Sequence, residues 1–215
     1  MQDQEDDFTL NNYRRCLGLA IEKGYNFLTL QDYFDSGLVN KKNIILRHDV
    51  DTQLEVALEM AKIEKQREIK ATYFFRLHSH AYNIFCIKDL RVILDIKKLG
   101  HEIGLHYESD FYYMIGKSIN DSLDKEVKIL NHILDIDIQT ICPHEPTRTK
   151  SFNINNTVYH EAYDKNLLND FKYISDSSCR WRDGSFYENI NKNHENLYVL
   201  THPYWWYNKS PIENY

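Results

Sequence analysis

The chain has no cysteine pair at metal-motif or redox-motif spacing. Cys16, Cys86, Cys142 and Cys179 are scattered over 215 residues, which argues against a disulfide framework or a structural zinc knuckle and fits reduced thiols. No lysine- or arginine-rich stripe interleaved with aromatics occurs, and 26 basic against 32 acidic residues leave a formal charge of −6, so nucleic acid is not an expected partner. Uninterrupted apolar runs such as Ile44 to Leu46 fall far short of the ~20 residues a membrane helix needs, so no transmembrane segment is expected. The first residues, MQDQEDDF, are acidic where a secretory signal would be basic, which makes the cytoplasm the expected compartment. No internal repeat, low-complexity tract or long Pro/Gly/Ser linker divides the chain. With 42% hydrophobic residues it can bury a sizeable core, and one domain over residues 1–215 is expected.

What is present is a change of rhythm. Residues 1–40 read as a helical preamble, with Phe8, Tyr13, Leu17 and Ile21 on roughly one face before the glycine of EKGYN ends the run. From Asn43 onward, short apolar runs alternate with helical patterns, the signature of parallel strands joined by helices. Strands are expected at NIILR, ATYFF, HEIGLH, IQTICPH, YISDSS and LYVLTHP. Between them, Leu54, Ala57, Leu58 and Ala61, then Leu90, Ile93 and Leu94, then Leu123, Val127, Leu130 and Leu134 mark helices. The arrangement is barrel-like or doubly wound.

Asp49, Asp51, His106, His144, Asp176 and His202 all fall at or just past the C-terminal end of an expected strand. In parallel α/β folds that edge is where sites are built. The spacing of Asp49 and Asp51 puts both carboxylates on one side of an extended backbone, so that one can ligate a cation while the other titrates beside it. Asp51 and Thr52 also precede a helix, where a carboxylate can serve as cap. His106 and His202 are each either metal- or proton-handling groups or hydrogen-bonded strand-end histidines. The run Tyr204, Trp205, Trp206, Tyr207 is either a wall on which a sugar ring stacks or a plug closing the barrel end. Arg180, Trp181 and Arg182 are candidate substrate contacts, and the remaining histidines, His48 and His101 among them, are taken as structural or surface residues.

With these residues assembled, the segments IILRHDVD, KATYFF and GHEIGLH, in that order and spacing, resemble the polysaccharide deacetylase family, the NodB-homology or carbohydrate esterase 4 group. The resemblance covers roughly residues 43–206, and the RHDVD form is similar to the branch containing sugar deformylases. It implies an α/β fold, a NodB-like distorted (β/α) barrel with about six to seven mostly parallel strands. It implies Asp49 as general base, His202 of the THP motif as general acid, and Asp51 and His106 as metal ligands. Where the family carries the second histidine of an HxxxH motif, Asp110 stands, which makes the implied metal set Asp51, His106 and Asp110. His144 occupies the place of an arginine–proline motif, as a substrate contact or an alternative third ligand. Asp176, Trp181, Arg182 and Trp205 complete the implied substrate-binding set.

The implied cofactor is a divalent metal, Zn²⁺ first, with Mn²⁺ or Fe²⁺ as alternatives suited to an oxygen-rich set. The implied reaction is metal-dependent hydrolysis of an N-acetyl or N-formyl amide on a small-molecule amino sugar, nucleotide- or lipid-linked. Two alternatives remain at this point: a catalytically silent glycan-binding member whose metal site has decayed at Asp110, and an amidase acting on a non-sugar amide.

Overall fold

The computed structural model describes residues 7–37, 42–149 and 158–214. The acidic first residues, 1–6, and the end of the expected preamble, 38–40, lie outside them. The preamble is not wholly helical. Helix α1 (Leu10–Glu22) begins where the Thr9 hydroxyl accepts from the Asn12 N–H at 3.0 Å, and it buries Leu10, Tyr13, Leu17 and Ala20. Ile21, expected on that face, is 45% exposed. A short strand, β1 (Asn26–Leu28), follows, and then α2 (Leu30–Ser36), opened by a capping box between Thr29 and Asp32.

The eight residues of β2 (Asn43–Val50) are all buried, as expected for a strand covered on both faces. After α3 (Leu54–Lys65), β3 (Thr72–Phe75), α4 (Ile87–Lys98) and β4 (Glu102–Tyr107) repeat the strand–helix alternation. The next elements are α5 (Ser109–Met114), α6 (Ile119–Leu134), β5 (Thr140–Pro143) and α7 (Pro146–Thr149). The chain ends with β6 (His160–Glu161), α8 (Lys165–Asp170), β7 (Lys172–Ser175), α9 (Phe186–Asn191) and β8 (Asn196–Thr201). The six expected strands are present; β1 and β6, of three and two residues, are too short to show a periodicity. No helix of the described residues is long and apolar enough to cross a membrane.

Every strand pairing is parallel, in the order β6-β5-β4-β3-β2-β8-β7, and β1 pairs with the first half of β2, before β3 takes over that edge. The sheet curls. Three strand spacings separate β2 from β5, which in a flat sheet is about 14 Å, yet Arg47 Nη2 on β2 lies 2.6 Å from Cys142 Sγ on β5. Arg47 Nη1 also reaches the Tyr198 hydroxyl on β8 at 3.3 Å. The strands therefore wrap around an interior holding Ile45, Phe74, Cys142 and Tyr198, while Ile44, Leu46, Val50 and their counterparts face the helices. Because β6 and β7 do not pair, the result is an open, distorted (β/α) barrel.

Closure of the lower end leaves the upper end for a site. Glu102 points inward at the bottom, accepting from Thr72 at 2.7 Å, Thr140 at 2.5 Å and the Gln31 N–H at 3.1 Å, with α2 lying across the opening. Above it Gly104 has no Cβ, and one there would collide with the Phe74 ring that crosses the interior. One step higher on the same face stands His106.

Candidate active site

Alternation along β2 turns Arg47, Asp49 and, just past the strand end, Asp51 toward the upper interior. Arg47 holds Asp49 through both oxygens, Nε to Oδ1 at 2.8 Å and Nη2 to Oδ2 at 2.7 Å. It is fully buried, with its guanidinium 4.5 Å above the Tyr163 ring. Burial pushes the Asp49 carboxyl up, but Arg47 and then His106 outweigh it and keep the group below the usual carboxylate range. Sequence reasoning overlooked Arg47, although the same period of two that grouped Asp49 with Asp51 groups Arg47 with them.

Asp51 Oδ1 is buried and accepts no hydrogen bond. His106 Nε2 and His144 Nε2 each lie 3.4 Å from it. His106 Nδ1 faces the Cys142 carbonyl oxygen at 3.0 Å, so that nitrogen carries the proton and Nε2 of the neutral ring presents a lone pair. Asp51 Oδ1 and the two imidazole Nε2 atoms thus face one another with no hydrogen bond to that oxygen. Two ligand atoms bound 2.0–2.1 Å from a tetrahedral cation stand about 3.3–3.4 Å apart, the spacing found here. Asp51, His106 and His144 therefore fit a divalent cation, and the Cys142 carbonyl that orients His106 is the partner such a ligand needs.

Asp49, His106 and Cys142 also converge. There, however, Arg47 Nη2 already lies 2.7 Å from Asp49 Oδ2 and 2.6 Å from Cys142 Sγ, so a guanidinium fills the place of a cation.

Asp110 stands apart from the cation set. It lies on α5, which turns away after β4, and its carboxylate accepts from Arg148 Nη2 at 2.8 Å. The third position belongs to His144, at the end of β5, next to β4 in the sheet, where the pairing His106↔Cys142 puts it two residues above His106. An HxxxH spacing presumes a helical continuation after His106; the neighbouring strand supplies the imidazole instead. Arg76, also overlooked, is buried with Nη1 3.8 Å from Asp51 Oδ1 and Nη2 2.9 Å from Glu108.

On the opposite wall His202 Nδ1 donates to Asp176 Oδ1 at 2.6 Å. Asp176 is fully buried and also accepts the His202 backbone N–H at 3.0 Å and Trp206 Nε1–H at 3.0 Å. Burial lowers the pKa of His202, but Asp176 more than reverses this and raises it to about 9. Asp176, expected as a substrate contact, is thus placed behind His202 as its orienting partner and does not line the cleft. Trp181 also lies off the cleft, its ring stacked on Phe8 at 6.1 Å. His144, Arg182 and Trp205 line it. The aromatic run divides its two expected uses: Trp206 is fully buried as a plug, and Trp205 forms part of the wall.

The cleft itself has a volume of about 840 Å³ and opens at the C-terminal edge of the sheet, a size suited to a small-molecule ligand. No protein-family model matches the chain, and no curated protein does. Among solved structures, it is similar to a deacetylase of Streptococcus pyogenes in complex with acetate, at 16% identity over 65% of this chain and 66% of that one, with a TM-score of 0.46. It is also similar to a family 4 carbohydrate esterase of Bacillus anthracis, at 17% identity over 87% and 76% with a TM-score of 0.47. A family 4 pseudoenzyme of the same organism matches at 19% identity over 81% and 58%, again with a TM-score of 0.47.

Proposed function

We propose that the protein is a metal-dependent hydrolase that removes an acetyl or formyl group from the nitrogen of an amino sugar, one carried on a nucleotide or a lipid. The observation that carries this reading is the convergence of Asp51 Oδ1, which accepts no hydrogen bond, with His106 Nε2 and His144 Nε2, each 3.4 Å from it. Two imidazoles and one carboxylate leave coordination positions open, as catalytic zinc sites do, and also suit Mn²⁺ or Fe²⁺. A cation held there supplies Lewis acidity, polarising the acyl carbonyl and making water more acidic.

The chain's own groups do the rest. Asp49, kept ionised and fixed in orientation by Arg47, takes the proton from the attacking water. His202 spends Nδ1 on Asp176, which leaves Nε2 for the cleft; protonated at neutral pH, it delivers that proton to the departing amine nitrogen, which is too poor a leaving group to go as an anion. The products are a free amine and acetate or formate. A decayed metal site followed from the aspartate at position 110, and His144 at the third position removes that motive for the silent reading.

Metal content and acyl release test the assignment together. Wild-type protein should bind one equivalent of a divalent metal and release acetate or formate from N-acyl amino sugars. Asp110→Ala should keep the metal, whereas His144→Ala should lose it together with turnover. Full metal content in His144→Ala would overturn the ligand set.

A further inference from the structure

The loop between β7 and α9 separates two depressions. On one side is the cleft with Asp49, Asp51 and His202; on the other is a groove of about 430 Å³ whose lining pairs the cations Arg15 and Arg180 and the rings of Phe8, Trp181 and Tyr187 with two carboxylates, Asp7 and Glu188, the latter accepting the Ser185 N–H at 2.9 Å. Cys179 borders both. Ser178 and Cys179 take consecutive left-handed backbone conformations, φ 61° and 54°, which L-residues seldom adopt. Beyond that bend the loop straddles the divide, with Arg180 lining the groove and Arg182 lining the cleft.

The charges around the cleft are balanced except at this loop. Asp49 is matched by Arg47 at 2.7 Å, Glu145 by Arg148, Asp183 by Lys172 at 3.8 Å, and Asp51 by Arg76 at 3.8 Å. Of the two arginines lining the cleft, Arg148 is shared between Glu145 and Asp110. Arg182 is exposed and has no ion-pair partner among the described residues, and the same holds for Arg180. Each of these two unmatched guanidiniums presents the planar set of N–H donors that suits phosphate oxygens, Arg182 toward the cleft and Arg180 toward the groove. Beside Arg180, Trp181 and Phe8, stacked on each other, and Tyr187, under the Arg15 guanidinium, add apolar surface for whatever the phosphate carries.

We propose that Arg182, with Arg180 behind it, binds a phosphate or diphosphate on the substrate. The substrate class is then a phosphate-linked N-acyl amino sugar, its acyl group directed at Asp49 and its carrier running over Cys179 into the groove. The acyl chemistry in this proposal rests on the hydrolase reading, and the anion site does not.

Titration calorimetry on the full chain separates the two. Wild-type protein should bind pyrophosphate and N-acetylglucosamine 1-phosphate. Arg182→Ala should weaken both by roughly 10- to 100-fold, the worth of one or two charge-assisted hydrogen bonds, and Arg180→Ala should weaken pyrophosphate less. Affinity for uncharged N-acetylglucosamine should not change in either variant. UDP-N-acetylglucosamine and a detergent-dispersed polyprenyl-diphosphate N-acetylglucosamine distinguish the carrier, and preference for either one supports the site, since both present the same diphosphate. Pyrophosphate binding absent from the wild type, or unchanged in the Arg180→Ala/Arg182→Ala double variant, overturns the proposal. Arginine-dependent binding without acyl release from any of these compounds leaves the anion site standing and removes the hydrolase reading instead.

Discussion

Strand β2 carries a buried carboxylate–histidine cluster on each of its faces, and the two are built on opposite terms. Outside the barrel, under α1 and α3, Glu64 is fully buried and accepts from the hydroxyls of Tyr13 at 2.5 Å and Tyr73 at 2.8 Å, with His48 Nε2 2.9 Å and His101 Nδ1 3.5 Å away. Inside, Asp51 Oδ1 accepts no hydrogen bond, with two imidazole Nε2 atoms 3.4 Å and Arg76 Nη1 3.8 Å away. Residue types are nearly the same in both, though the outer cluster is fully buried and the Asp51 side chain is 25% exposed. What differs is satisfaction: a carboxylate that accepts from two buried hydroxyls is a structural element, and one with a buried oxygen that accepts no hydrogen bond has a lone pair left for a cation. His48 and Asp49 are consecutive residues, so the pleat alone assigns one to each cluster.

The sharpest way to break this comparison is to remove one acceptor from the inner cluster. Asp51→Ala and His106→Ala should both lose the metal and with it turnover, while the midpoint of denaturant unfolding for the apo protein stays near that of the wild type, because these acceptors stabilise little without a cation. Asp49→Asn should keep the metal and lose about 10²–10⁴ in turnover, the usual worth of a positioned base. Near wild-type rate in Asp49→Asn would remove Asp49 from the chemistry.

The outer cluster should respond in the opposite sense. Glu64→Ala leaves two histidines and two tyrosines buried without their shared acceptor, and should cost about 3–5 kcal/mol of stability in urea unfolding while metal content per folded molecule is unchanged. Burial pushes the Glu64 carboxyl up, but His48 and His101 more than offset it and hold it below its ordinary value of 4.5. Its ionisation therefore stabilises the fold above that pH and ceases to do so as the solution is acidified. Glu64→Gln should accordingly flatten the acid limb of the stability profile. If Glu64→Ala instead depleted the metal without destabilising the protein, the division between the two faces would be wrong.

The contrast also explains what could be read from the sequence. The strand ends announced Asp49, Asp51, His106 and His202, because the C-terminal edge of a parallel sheet is a place that periodicity can locate. It could not say which edge residues meet. Asp110 was expected at the metal from the family resemblance, but α5 leads away from the edge and Arg148 takes its carboxylate, while the curl of the sheet and the register of β5 against β4 bring His144 beside Asp51 and His106. Glu64, at the far end of an amphipathic helix, reads as an ordinary solvent-facing residue until side chains from α1, β2, β3 and the residue before β4 are seen to converge on it. Trp181 and Asp176 were placed in the cleft by resemblance and lie behind it, since their partners, Phe8 and Trp206, are far from them in sequence.

His202 provides the finest test, because it borrows from both clusters. It faces the cleft, yet its orientation depends on a carboxylate as fully satisfied as Glu64: Asp176 accepts from its ring, its backbone and Trp206. Burial lowers the His202 pKa and Asp176 lifts it past the ordinary 6.5 to about 9. The proton is thus held at neutral pH and lost as the pH rises through about 9. If His202 is the acid, turnover should fall along an alkaline limb near pH 9, and the stabilisation from its pairing, complete below about pH 6.5, should fade over the same interval. Asp176→Asn removes the opposing charge but keeps a hydrogen-bonding group of the same shape, and should move the limb down by about 1–3 pH units without altering metal content. A limb that stays in place in Asp176→Asn would mean that the pH profile reports another group. Asp176 would then be a structural carboxylate of the Glu64 kind that merely lies next to the site.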